Sequence, residues 1–190
     1  LRFLSISASN LDEFYMVRVA GIFGQILAGV QSVSQDGLTP AQQLDAINCF
    51  VSELVGDAQD CWLALQAEME GAGIRIIEAG GVTPEDRTWL ESVFLTHIFP
   101  ILTPIAVDPA HPFPFIQNKG LTLVVEMMRT ADGKTMNGLI PIPGQIERFI
   151  RVRGPGEKPD EFRFIQLETM IGLFIPELFS GFTIKGQGSF

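Results

Sequence analysis

Apolar residues recur at alternating three- and four-residue steps through Leu44, Ile47, Val51, Leu54, Ala58, Cys61, Leu65 and Met69, the seam of a helix packed lengthwise on others. Thr39-Pro40 with Gln42 supplies its cap, first-turn proline and capping-box partner, and Gly71 and Gly73 stop it. Upstream, Phe14, Val17, Gly21 and Ala28 mark the apolar side of a first helix from about Leu11 to Val30. Asn10 fits as its N-cap, with Glu13 reaching back to the cap and Asp12 and Glu13 at the positive end of the helix dipole. Ser32 to Gly37 forms the intervening turn. After the short β-like run Ile74 to Ile77, Thr83-Pro84 with Asp86 opens a third helix carrying Trp89, Leu90, Val93, Phe94 and Ile98. Long helices joined by short links predict an antiparallel three-helix bundle over residues 1–99.

Beyond Pro100 helical spacing gives way to proline-punctuated loops and β-rich runs, which places a domain boundary at about residue 99 and makes residues 100–190 a second, α+β domain with a small mixed or antiparallel sheet. Leu121 to Met128 reads as a strand, Ala131-Asp132-Gly133-Lys134 as a turn, and Met136 to Ile142 as the hairpin partner. Gln145 to Val152 and Glu161 to Gln166 add strand candidates. Leu167 to Phe179 reads as a helix disturbed by Pro176, with Met170, Ile171, Phe174 and Leu178 inward. Lys185 to Phe190 is Gly-rich, but no lysine and hydroxyl follow at phosphate-loop spacing and no helix begins there, so it reads as a loop cut short.

The 190 residues are 46% hydrophobic, enough for real cores, and no run approaches the roughly 18–20 apolar residues that a membrane-spanning helix requires. A formal charge of −9 argues against a free-standing nucleic-acid binder. Cys49 and Cys61 stand twelve residues apart on one predicted helix, about 18 Å along its axis. That exceeds the roughly 7 Å a disulfide permits, so both read as free thiols buried as small fillers.

Two stretches carry a resemblance. Ser9-Asn10-Leu11-Asp12-Glu13-Phe14-Tyr15-Met16-Val17-Arg18-Val19 resembles the amino-terminal signature of long, ATP-using bacterial polyphosphate kinases. Phe99-Pro100-Ile101-Leu102-Thr103-Pro104-Ile105-Ala106-Val107-Asp108-Pro109, continuing through His111-Pro112-Phe113-Pro114-Phe115, resembles that family's junction between its helical domain and its head domain. Family members are several times longer. The resemblance therefore implies a piece, missing the bundle's first helix and truncated in its head domain; Leu1-Arg2-Phe3-Leu4, which reads as a helix interior, agrees.

The resemblance implies that the parent reversibly moves the terminal phosphate of ATP onto inorganic polyphosphate through a phosphohistidine, with Mg2+ held by ligands in the carboxyl-terminal half. By position, the asparagine and the aromatic seven residues earlier that approach the adenine end of ATP are Asn10 and Phe3. An amide both donates to and accepts from an adenine edge, and a phenyl ring covers its face. The bland alternatives are a helix cap for Asn10 and core packing for Phe3. The resemblance further implies a homodimer or homotetramer and a cytoplasmic protein, with peripheral membrane association as a variant.

The chain itself carries no complete catalytic site: no Walker-type loop, G-x-S-x-G elbow, H-E-x-x-H or Cys/His metal cluster. His97 and His111 do not match the family's phosphorylated positions and read as structural. The competing reading is a non-catalytic oligomerisation or interaction module, and a downstream half bearing the family's histidines would decide between the two.

Overall fold

A helix that begins at Arg2 runs, with one widened turn, to Leu27. In this computed structural model, which describes residues 1–107, 113–154 and 160–190, it comprises α1 (Arg2–Phe14), a π-helical turn (Tyr15–Val19) and α2 (Ala20–Leu27). No proline occurs before Pro40, so nothing in this stretch removes a helical donor. Gly29, at φ +71°, ends it.

The chain then folds back into α3 (Pro40–Gly71). Its start is the expected capping box: the Thr39 amide donates to Gln42 Oε1 at 2.9 Å and the Gln42 amide to Thr39 Oγ1 at 3.4 Å. Tyr15 Oη donates to Asn48 Oδ1 at 3.0 Å between the helices. These segments form the first of two compact units, Leu1–Met69; the second is Glu70–Phe190. Two helices hide only one stripe each. Among the described residues of the first unit only Val19 and Pro40 are buried, whereas Phe3, Phe23, Leu27, Phe50 and Leu63 remain exposed.

The second unit holds two sheets. β1 (Ile74–Ile77), β6 (Phe162–Gln166) and β5 (Phe149–Arg151) lie in the order β1-β6-β5, with β1 parallel and β5 antiparallel to β6. The other sheet, β2 (Ile105–Val107), β3 (Thr122–Arg129), β4 (Thr135–Pro141) and β7 (Phe182–Ser189), is antiparallel in the order β2-β4-β3-β7. The β3–β4 hairpin closes where expected, with Gly133 at φ +69° and the Arg129 amide donating to the Lys134 carbonyl. Helices α4 (Pro84–Val93), α5 (Leu167–Leu173) and α6 (Ile175–Leu178) complete the unit.

Its core joins Leu90, Phe94 and Ile98 to Val125 and Ile140 of one sheet, Ile77 and Ile165 of the other, and Met170, Ile171 and Phe174. The Phe94 and Phe174 rings stack at 5.1 Å.

The class is α+β, as expected, but two details differ. The predicted third helix, α4, does not complete a bundle within the first unit, because its apolar face packs into the core of the second. For the same reason the compact units divide at Met69/Glu70, about thirty residues before the change of pattern at residue 99. The Gly-rich tail is also no loop: β7 pairs with β3 from Leu123↔Ser189 to Arg129↔Phe182, around a bulge at Glu126/Met127.

Candidate functional site

Because α1 starts at Arg2, Asn10 lies in the helix interior rather than at its cap. This corrects the expected N-cap. The peptide groups it would have capped already belong to a helical ladder, and Asp12 and Glu13 fall in the last turn of α1 instead of its first. The misreading has a physical source. Ser9-Asn10 before an acidic pair has the residue types of a cap, yet Phe3, Leu4 and Ile6 continue the apolar spacing upstream with no breaker between.

Phe3 and Asn10 are seven residues apart in regular α-helix, so they share one face at about 10 Å separation along the axis. Both are exposed, Phe3 at 86%. Leu4 and Leu11, on the adjoining side, are half-buried. The structure thus brings the two sequence-nominated residues onto one open helix face and removes the packing role considered for Phe3 within this unit. Beside them, Leu11, Phe14, Ala46, Ile47, Phe50 and Leu54 line an apolar groove of about 430 Å³.

The second unit holds a buried ion pair that sequence reasoning missed. Arg163 on β6 grips Asp86 on α4 in a bidentate pair, Nη1 to Oδ2 at 2.6 Å and Nη2 to Oδ1 at 2.9 Å. Asp86 is fully buried and the Arg163 side chain is 11% exposed. Burial pushes the Asp86 carboxyl up, but the bonds from Arg163 and Thr83, with the arginine's charge, together hold it below the ordinary carboxylate range. Thr83 Oγ1 accepts from the Asp86 amide at 3.1 Å, so the expected cap of α4 stands. The available signal was an arginine on the same strand face as Ile165, which can be buried only against an acid. Nearby, the Arg151 guanidinium lies 4.7 Å from the Phe162 ring centre.

His97 is exposed at the end of the helical turn that follows α4, and His111 lies outside the described residues. Among the described residues no group of three or more His, Cys, Asp or Glu is arranged to hold a metal ion, and no helix is long and apolar enough to cross a membrane. Cys49 and Cys61 are free, as their spacing on α3 requires, but exposed rather than buried, because a two-helix hairpin leaves those sides of α3 uncovered.

Comparison with known proteins places these units. Residues 1–77 match the family described as Polyphosphate kinase N-terminal domain, and residues 85–190 match that described as Polyphosphate kinase middle domain. A polyphosphate kinase of Erythrobacter litoralis is 45% identical over 190 residues, covering 100% of this chain and 26% of the relative. One of Mycobacterium avium is 37% identical over 195 residues, covering 100% and 27% respectively. The crystal structure of polyphosphate kinase from Porphyromonas gingivalis superposes with a TM-score of 0.81 at 25% identity, over 98% of this chain and 27% of that one. The chain spans about a quarter of the length of the curated relatives it matches.

Proposed function

The chain belongs to the polyphosphate kinase family, and from that premise we propose that it serves the reversible transfer of the terminal phosphate of ATP to inorganic polyphosphate by supplying one wall of the nucleotide site and part of the subunit contact. Its share of the chemistry is binding. The phosphorylated histidine and the Mg2+ ligands are expected from parts of the parent enzyme that this chain does not span, because phosphoryl transfer needs cations to spread the developing charge.

The observation that carries this reading is the position of Asn10. A solvent-facing asparagine inside a helix costs on the order of 0.5 kcal/mol relative to alanine and caps nothing here. Its amide is free to read a base edge. Phe3, two turns earlier on the same face, offers a ring to cover the base. Interaction surface is also present in the uncovered groove between Phe14 and Phe50, which supports the subunit-contact role and, in a parent without the catalytic half, would support the interaction-module reading instead.

The test is Asn10→Ala in the full-length enzyme. The KM for ATP should rise by the equivalent of about 1–3 kcal/mol, the loss expected when a polar partner is left unpaired, while the KM for polyphosphate in the reverse direction holds. Because Asn10 is not a cap, thermal stability should stay level or rise slightly. Unchanged ATP kinetics would remove Asn10 from the site.

A further inference from the structure

Between Phe3 and Asn10 the shared face is not empty. Ile6 stands three residues after one and four before the other, which puts its side chain on the same face between them, and it is 45% exposed. Helical Cα–Cβ bonds tilt toward the amino terminus, so the Asn10 amide leans back over Ile6. The face is therefore ring, aliphatic floor and amide in succession.

Charge along α1 is one-sided. Arg2, its only Lys or Arg, stands one turn before Ile6 at the Phe3 end, whereas Asp12 and Glu13 follow Asn10 at the other and come before the next cation of the helix, Arg18, two turns beyond Asn10. A ligand with a flat, edge-polar body and an anionic tail is favoured in one direction only: body over Ile6, tail toward Arg2 and away from the acids. A neutral apolar segment would gain nothing from that asymmetry and would leave the amide without a partner.

We propose that Ile6 and Arg2 complete an oriented nucleotide shelf on α1, in which the purine of ATP rests on Ile6 between the Phe3 ring and the Asn10 amide, and the triphosphate leaves at the Arg2 end. This rests on the nucleotide-wall reading above and adds to it a floor and a direction. Ile6 acts by apolar contact with the base, and Arg2 by its positive charge near the phosphates.

The experiment uses the full-length kinase carrying Ile6→Thr, Ile6→Val, Arg2→Gln or Asn10→Ala. Ile6→Thr keeps the branched shape but places a hydroxyl under the base, and should raise the KM for ATP about tenfold, with Ile6→Val near the parent value. Arg2→Gln should raise it roughly threefold, as for an exposed charge. Adenosine, a competitive probe without phosphate, should bind more weakly to Ile6→Thr but equally well to Arg2→Gln. The kcat and the KM for polyphosphate should hold in all, and the melting temperature should fall in none. If Asn10→Ala raises the KM for ATP and Ile6→Thr does not, the shelf is wrong and the wall stands; if neither does, both fail. A lower melting temperature with an equal shift in both KM values for Ile6→Thr would mean that the face packs against protein. Equal loss of adenosine and ATP binding in Arg2→Gln would overturn the direction.

Discussion

Burying Asp86 takes its carboxylate out of water, and the two Arg163 bonds with the bonds the carboxylate accepts from Thr83 restore what burial removes. The folded carboxyl lies below its ordinary value of 3.8, so the linkage has a definite sign. Its contribution to stability is fully present above that ordinary value and is lost as the pH falls through the lower, folded one. Removing the arginine reverses the balance. In Arg163→Met the desolvated acid stands alone, and the variant should lose about 3–5 kcal/mol at neutral pH, with the difference from the parent shrinking as acid neutralises Asp86. Urea unfolding of this chain from pH 7 to pH 3, followed through Trp89 in a Trp62→Phe background, reports the second unit alone. A difference independent of pH would mean that Arg163 acts by packing only. Strand alternation places Arg163 on the face of Ile165, but its partner is not legible from spacing, since the two are 77 positions apart and Asp86 has an innocent local reading as a cap partner.

At the scale of elements, periodicity was readable wherever an element turns one stripe inward, as α3 does with a seam that is half-buried at every position but Cys61. The α3 seam, its capping box and the β3–β4 hairpin all stand because local chemistry and tertiary packing point the same way. The tail fails that test locally. Phe182–Ser189 contains Gly186 and Gly188, which weaken a strand, and only pairing with β3 makes it one. The glycines of this unit should therefore answer substitution differently. Gly188 has ordinary backbone, and a Cβ there would meet nothing within 4 Å, so Gly188→Val should stabilise the second unit by about 0.5–1 kcal/mol. Gly73 has φ +79° and a Cβ there would meet the Asp160 carbonyl oxygen at 2.5 Å, so Gly73→Ala should destabilise by at least about 1 kcal/mol. Denaturation midpoints of the two variants check the contrast; a loss at Gly188 as large as that at Gly73 would mean that β7 has no tolerance for a side chain on that face.

For the whole molecule, charge limits function more firmly than fold does. Thirteen Lys and Arg against 22 Asp and Glu leave a net −9, a poor surface for a polyanion, and the one sequence-nominated ligand face carries a single cation, Arg2. Which family the chain resembles was legible in two short motifs. The residues of the proposed nucleotide wall were legible as numbers, but not as geometry, because the cap reading of Asn10 hid that α1 extends far enough upstream to set Phe3 and Asn10 on one face. Of the two histidines, His97 is exposed and His111 lies outside the described residues. Incubated alone with γ-labelled ATP and Mg2+, this chain should acquire no phosphate, whereas the full-length enzyme under the same conditions should. Mass spectrometry under alkaline conditions, which preserve phosphohistidine, distinguishes the outcomes. A stable phosphohistidine at His97 or His111 would move part of the catalytic chemistry into these two domains and overturn the proposal that they serve as a binding and contact surface.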